Sequence, residues 1–429
     1  MQGKNRKKLP SRPPSWVNGE QVTSGASINR ENPPSIPVKV GGQFSFTAFS
    51  SEMKPAVLET IWRLKTAMYP LGLNLDSNQT EISWLEPIWD DAACLHFTLF
   101  ISEAYQSFIQ GKPENSKAAS AHFVNALGIL QRRLATSDVT LSTSDTTILV
   151  VVGLTMAAVA FGNFDAALKH LEGLHKMVIL RGGISEFRMN KQLQTKILRV
   201  DLGVALSVGR KTLFFSEGLS WDSYVPSPRK KPAPRFHNAT PTSVASTLNH
   251  FLGGLDTRLC AIWDDVSEFV RAANITTQCK REIDSDLYHE VMLSIHYRLA
   301  NVNFEIGSVN ETIRLGLLAF ASTLFLQWRG VNTRYKDLSQ RLKTALSLLR
   351  HETRAIPNQL TVWLYITSSI STLSEDEQVC FKSAALRALR NTGLKSWGEA
   401  RVSLKSVLWV DIIFDSRAKQ LVEGILSCM

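Results

Sequence analysis

From about residue 51 onward, apolar side chains recur at intervals of three and four, good helix formers dominate, and alternating strand-like runs are scarce. This periodicity constrains the chain more than any motif within it, because a 3.6-residue repeat buries one face of a helix. It predicts helices over 53–68, 86–110, 117–134, 144–161, 165–181, 191–209, 242–272, 277–300, 310–328, 335–353, 359–372, 375–391 and 397–425. The expected fold class is all-α, a single large irregular helical domain over 51–429 built from antiparallel helical hairpins. One domain is preferred to two because neither sheets nor a change of composition divides the 429 residues, a length that can bury one large core. Residues 1–50, rich in Pro, Ser, Gly and Asn with few apolar clusters, are expected to form a disordered basic tail.

The clearest hairpin joins 144–161 to 165–181. Gly162-Asn163 breaks the first helix, and Asp165 opens the second, where a carboxylate suits exposed N–H groups. Ala167, Leu168, Leu171, Leu174 and Val178 make one apolar stripe. Gly182-Gly183 then supplies left-handed residues for a C-cap, with Arg181 at the negative end of the helix dipole.

The first helix of this pair raises the question of a membrane. Thr146 to Phe164 runs without a charged residue, close to the roughly 20 residues that span a bilayer. Its strongly apolar centre is shorter, about 14 residues, and Asp145 and Asp165 bound it in place of aromatic or basic anchors. A buried core helix is expected, and no membrane partner.

The net charge of +10 is unevenly spread. Lys4, Arg6, Lys7, Lys8 and Arg12 crowd the first residues without an acidic neighbour, and Arg229, Lys230, Lys231 and Arg235 lie in a proline-rich loop over 222–241. Each group reads either as a solvated segment or as a nuclear-import or phosphate contact. No apolar stretch follows the first charges, and Pro10, Pro13 and Pro14 spoil an amphipathic presequence. The five cysteines, Cys94, Cys260, Cys279, Cys380 and Cys428, are scattered, which points to core thiols in a reducing compartment.

Candidate chemical motifs fail on spacing. GVALSVGRKT (203–212) imitates a phosphate-binding loop, but Val204 to Val208 make its gap one residue too long, and Arg210 intrudes before Lys211. The preceding residues read as a helix ending at Gly209, with its amides used inside that helix. His170 and His175 are turned about 140° apart on a helix. His289 and His296 share a face but stand roughly 10.5 Å apart along the axis, too far for one metal with donors at about 2 Å. Leu293 fills the place where a zinc helix would have its second histidine.

Trp62, Trp84, Trp89, Trp263, Trp328, Trp363, Trp397 and Trp409 read as core fillers, and Asp90-Asp91 and Asp264-Asp265 as solvated helix faces. Accordingly no catalytic residue, metal ligand or cofactor site is expected, and the chain is not read as an enzyme.

Four segments follow one another in a recognisable order: HLEGLHKMVILRGGI (170–184), KILRVDLGVALSVGRKTLF (196–214), TVWLYITSSISTLSEDEQVCF (361–381) and LKSWGEARVSLKSVLWVD (394–411). Together they resemble the fungal-specific transcription factor domain, the helical regulatory region usually found downstream of a binuclear zinc cluster. The resemblance is carried by Leu180, Arg181, Gly182 and Gly183 at a helix end, by Arg199, Asp201, Ala205, Gly209 and Phe214, and by Trp397, Leu404, Lys405, Leu408 and Trp409. These are packing motifs, and Thr212 or Leu213 stands where the family has a proline.

The resemblance implies a nuclear regulator of transcription with an all-helical body. A zinc cluster would need six closely spaced cysteines, whereas the first here is Cys94 and none stands at Cys-x-x-Cys spacing. Three accounts follow. The chain is a regulator without its own DNA reader, working through a ligand, a homodimer or a DNA-bound transcription factor. Or the sequence begins too late, and six cysteines lie upstream in frame. Or the helical body serves as a small-molecule-binding protein or an enzyme of secondary metabolism.

Overall fold

Helix caps written into the sequence set most element boundaries in the computed structural model of the protein. It describes residues 59, 64, 73, 75, 87, 88, 90–112, 116–214, 219–225, 243–327, 335–348, 356–373 and 375–427. In chain order the α-helices are α1 (Ala92–Ile109), α2 (Lys117–Ala135), α3 (Val139–Ser142), α4 (Asp145–Ala160), α5 (Phe164–Leu180), α6 (Lys191–Val208), α7 (Ser243–Leu252) and α8 (Thr257–Gln278). They continue as α9 (Ser285–Asn301), α10 (Val309–Phe325), α11 (Lys336–Leu348), α12 (Asn358–Ser371), α13 (Glu375–Asn391), α14 (Trp397–Lys405) and α15 (Asp411–Leu426). A 3₁₀ helix, Ile184–Met189, lies between α5 and α6.

The fold is all-α and built from helical hairpins. Among the described residues the β-type pairing is an isolated bridge between Leu75 and Ile283. Side chains of Asp91, Ser116, Ser144, Asn163, Asn190, Asp284, Ser308 and Ser396 each accept an N–H from the first turn that follows, which satisfies donors a helix start leaves open. The expected basic tail, with Lys4, Arg6, Lys7, Lys8 and Arg12, lies outside the described residues. So do Arg229, Lys230, Lys231 and Arg235, most of the helix expected over 53–68, and Trp62, Trp84, Trp89 and Trp328.

The hairpin of α4 and α5 follows its sequence signals closely. Gly162 takes a left-handed φ of 72°, and Asn163 accepts from the Ala166 amide at 3.1 Å. At the other end Gly182 and Gly183 have φ of 99° and 97°. The Arg181 guanidinium reaches back from the end of α5 to Thr143 O at 3.3 Å and to Asp145 at the start of α4. It also lies 4.4 Å above the Phe187 ring. The end of one helix thus clasps the beginning of the other, and the pair runs antiparallel. By length and composition the segment Val139–Ala160 could cross a membrane; here α1, α2, α5 and α6 pack against α4 and bury Ile148, Val150, Val152 and Leu154.

Two hydrophobic clusters meet on α6. Leu193, Ile197, Val200 and Val204 join a cluster with α1, α2, α4 and α5. Leu198, Leu202 and Leu206, on another face, join the cluster formed by α7 to α15. That second cluster centres on α10, in which every residue but Asn310 is buried. Gly316 lets α12 approach: a Cβ there would lie 2.5 Å from Leu364 Cδ2.

The structure corrects three expected helices. The span 242–272 is two helices, because Gly253-Gly254 ends α7 and Asp256 caps α8 by accepting from the Arg258 amide at 2.9 Å. Helix α8 then runs on to Gln278, so the helix expected to begin at 277 begins at Ser285. The turn between them contains Lys280 at a left-handed φ of 51°. The span 397–425 is also broken, because Ser406–Val410 is not helical although Leu408, Trp409 and Val410 are buried. Its carbonyls are satisfied from afar: Trp363 Nε1 donates to Leu408 O at 2.6 Å, and Asn274 Nδ2 donates to Trp409 O at 2.7 Å.

The expected solvated acid pairs are also corrected. Asp91 is buried, caps α1 and pairs with Arg133 at 2.8 Å. Asp265 is wholly buried against the Arg298 guanidinium and accepts from the amides of Tyr224 at 2.9 Å and Val225 at 3.0 Å. Asp264, by contrast, is exposed. Trp263, Trp363 and Trp409 are core residues, while Trp397 is half-buried.

Candidate functional site

Helix α6 has a third face, and it carries charge. Lys196, Arg199 and Gly203 follow one another at helical spacing between the residues that enter the two cores. Two neighbouring pockets lie beside them: Lys196 lines the first, Gly203 the second, and Arg199 both. The first, about 140 Å³, is bounded by Leu64 and Ile88, by Phe97, Thr98 and Ile101 of α1, by Leu149, Val152, Gly153 and Met156 of α4, by Lys191, Gln192, Thr195, Lys196 and Arg199 of α6, and by Asp286 and His289 of α9. The second, about 100 Å³, shares Ile101, Met156 and Arg199 with the first and continues along Ala157, Val159, Phe161 and Tyr335. Exposed Lys191 and Asp286 mark one mouth; exposed Phe108 and Phe161 mark the other.

Gly153 is required where α1 and α4 touch, because a Cβ there would run into the Phe97 ring. Arg199 is held by its donation to Phe325 O at 2.7 Å and lies 4.8 Å above the Phe325 ring. Burial, with the neighbouring positive charge of Arg199 added, pushes the Lys196 ammonium down to about 8, so it stays largely protonated at neutral pH. Burial and Arg199 likewise push His289 down to about 4, leaving a neutral imidazole. The Cys94 thiol, raised to about 12 by burial, is neutral too and donates to Thr146 O at 3.3 Å. Among the described residues the walls from α1 and α4 are largely apolar, and Lys191, Lys196 and Arg199 of α6 and Asp286 of α9 bring charge to the lining.

One mouth is wired to the stem of the basic loop. Lys191 pairs with Glu290 at 3.0 Å, and the Tyr224 hydroxyl donates to the other Glu290 oxygen at 2.6 Å. Tyr224 and Val225 are in turn held by their amides to Asp265.

The residues singled out in the sequence separate into different roles. Arg199 lines the cavity. Asp201, two positions further, is buried and accepts from the amides of Leu213 at 2.9 Å and Phe214 at 3.2 Å and from the Tyr297 hydroxyl at 2.9 Å. It fixes the chain after Gly209, whose left-handed φ of 72° ends α6. The GRKT stretch is thus the exit of a helix, and the amide of Gly209 donates to Ala205 O at 2.9 Å. Arg181, Gly182 and Gly183 form the hairpin clasp, but Leu180 is exposed and packs into no core. Leu408 and Trp409 sit far along the chain as buried anchors, with Trp409 Nε1 donating to Asp415 at 2.8 Å. Neither histidine pair forms a cluster: His289 and His296 both lie against Phe325, and His175 against Phe214.

Sequence reasoning missed Lys196, Thr98, Thr195 and Met156. The available signal was the presence of two cations, Lys196 and Arg199, inside a helix otherwise flanked by apolar positions. Compared with protein-family models, with curated proteins and with solved structures, the chain matches none.

Proposed function

We propose that the chain is a nuclear regulator of transcription whose helical body takes its signal from a small molecule, bound in the cavity along α6. The observation that carries this reading is the position of the cavity. It borders the helix whose other faces belong to both hydrophobic clusters, so occupancy acts on the element that joins them. The tie from Lys191 through Glu290 to Tyr224 adds a route from the cavity mouth to the stem of the basic loop. The nuclear assignment is supported by the ordered motifs around Leu180–Gly183, Arg199–Gly209 and Trp397–Trp409, and by the basic groups Lys4–Lys8 and Arg229–Lys231. In this reading specific DNA contact comes from a DNA-bound transcription factor or a homodimeric assembly, and the chain performs no bond-making chemistry.

The test is to fuse the whole chain to a heterologous DNA-binding domain and measure a reporter in a fungal cell. The expected result is nuclear accumulation and a reporter output that changes when cavity ligands are supplied. Exclusion from the nucleus, or reporter output indifferent to the fused chain, would contradict the proposal. A small-molecule-binding protein unrelated to transcription would bind ligand yet leave the reporter unmoved.

A further inference from the structure

Helix α6 lacks a side chain where the second pocket has room. Gly203 is buried in the interior of that helix, a place where glycine weakens helical structure. Gly153 and Gly316 are held to glycine by neighbours that a Cβ would strike, whereas the nearest atom to a Cβ at Gly203 is Tyr335 Cε1 at 4.0 Å. Packing therefore does not require glycine at 203, and its effect is to leave space open beside α6. That space, about 100 Å³, is walled by Ile101 and Ala104 of α1, Met156 and Val159 of α4, Val200 of α6 and Leu326 after α10. Two polar tips on the lining are taken up by backbone carbonyls: Arg199 donates to Phe325 O at 2.7 Å and the Tyr335 hydroxyl to Leu326 O at 3.1 Å. Such a lining gives a charged ligand little in return for its lost hydration, while a neutral ring has none to lose. An apolar cavity of about 150 Å³ accepts benzene, so about 100 Å³ suits one small ring, with any substituent leading out past the exposed Phe108 and Phe161. The Met156 thioether and these two phenyl rings favour an aromatic occupant over a saturated one.

From this we infer that the second pocket binds a small neutral aromatic molecule, with one ring in the space beside Gly203. The inference deepens the proposed function and rests on that reading for the pocket's part in signalling.

Titration of the whole chain with toluene, benzoate and benzylamine, followed through the NMR signals of the ligands, tests it. The three share a ring and differ in charge. Toluene is expected to bind, with benzoate and benzylamine each weaker by about tenfold or more. Gly203→Leu, whose side chain would take up the space, is expected to weaken toluene by about tenfold or more, and Gly203→Ala to weaken it less. Both substitutions install better helix formers than glycine. If Gly203→Leu fails to fold, the ranking of the three ligands on the unaltered chain and the Gly203→Ala result still decide the matter. Benzoate or benzylamine binding as tightly as toluene, an unchanged toluene affinity in a folded Gly203→Leu, or no binding by any of the three overturns the inference. Toluene binding without a reporter response would leave this inference standing and defeat the transcriptional reading; a reporter response to a small molecule without toluene binding would do the reverse.

Discussion

Replacing Arg298 with alanine is expected to cost about 3–5 kcal/mol of folding stability, the range for breaking a buried ion pair from one side. Both side chains are almost completely shielded, with 1% exposure for Arg298 and 0% for Asp265. Removal of the guanidinium strands a carboxylate in the core of α8. Asp265→Ala should cost a similar amount, because it strands the Arg298 guanidinium and leaves the amides of Tyr224 and Val225 without their acceptor. For the same reason, replacing both partners with apolar residues does not restore stability, as it can for an isolated buried pair. Urea unfolding with the exposed neighbour variant Asp264→Ala as reference measures the effect. Losses below about 1 kcal/mol for both buried variants would contradict this account of the loop stem.

The second large effect is expected at Asp201. Asp201→Ala removes the acceptor of two amides and the nearer of two acceptors of the Tyr297 hydroxyl, and a loss of about 3 kcal/mol at neutral pH is expected. The site also carries a pH signature. Burial pushes this carboxyl from its ordinary 3.8 up to about 6, against the donors that favour its anion. Between these values the folded chain holds a proton that the unfolded chain has lost. The stabilisation from protonated Asp201 is therefore complete below the ordinary value and disappears as pH rises through about 6. Asp201→Asn, which cannot titrate, should flatten the fall in stability between about pH 4 and pH 6. Denaturation curves collected across that range measure it, and an unchanged slope in a folded Asp201→Asn would count against the assignment.

What the sequence made legible was local. Gly162, Asn163, Gly182 and Ser144 act within a few residues of their own positions, so the α4–α5 hairpin could be drawn from the chain alone. The missed features depend on partners distant in sequence. The turn after Gln278 uses a left-handed lysine, Lys280, where glycine would have announced it. Ser406–Val410 looks like the middle of a helix because its side chains are apolar, yet Trp363 and Asn274 take over its carbonyls. Asp265 resembles any acid on a helix until Arg298 of α9 folds against it. The pocket beside α6 was not legible. Lys196 and Arg199 are written three residues apart on one helix, but the apolar walls that give them meaning come from α1 and α4.

In the proposed function a ligand is felt at α6, the helix shared by both hydrophobic clusters. Amide hydrogen exchange of the whole chain, with and without a saturating small molecule that switches the reporter, reads this directly. Slower exchange in α1, α4 and α6, with α13 and α15 unchanged, is the predicted pattern. Unaltered exchange in α1, α4 and α6, or protection confined to the helices that do not border the cavity, would contradict it.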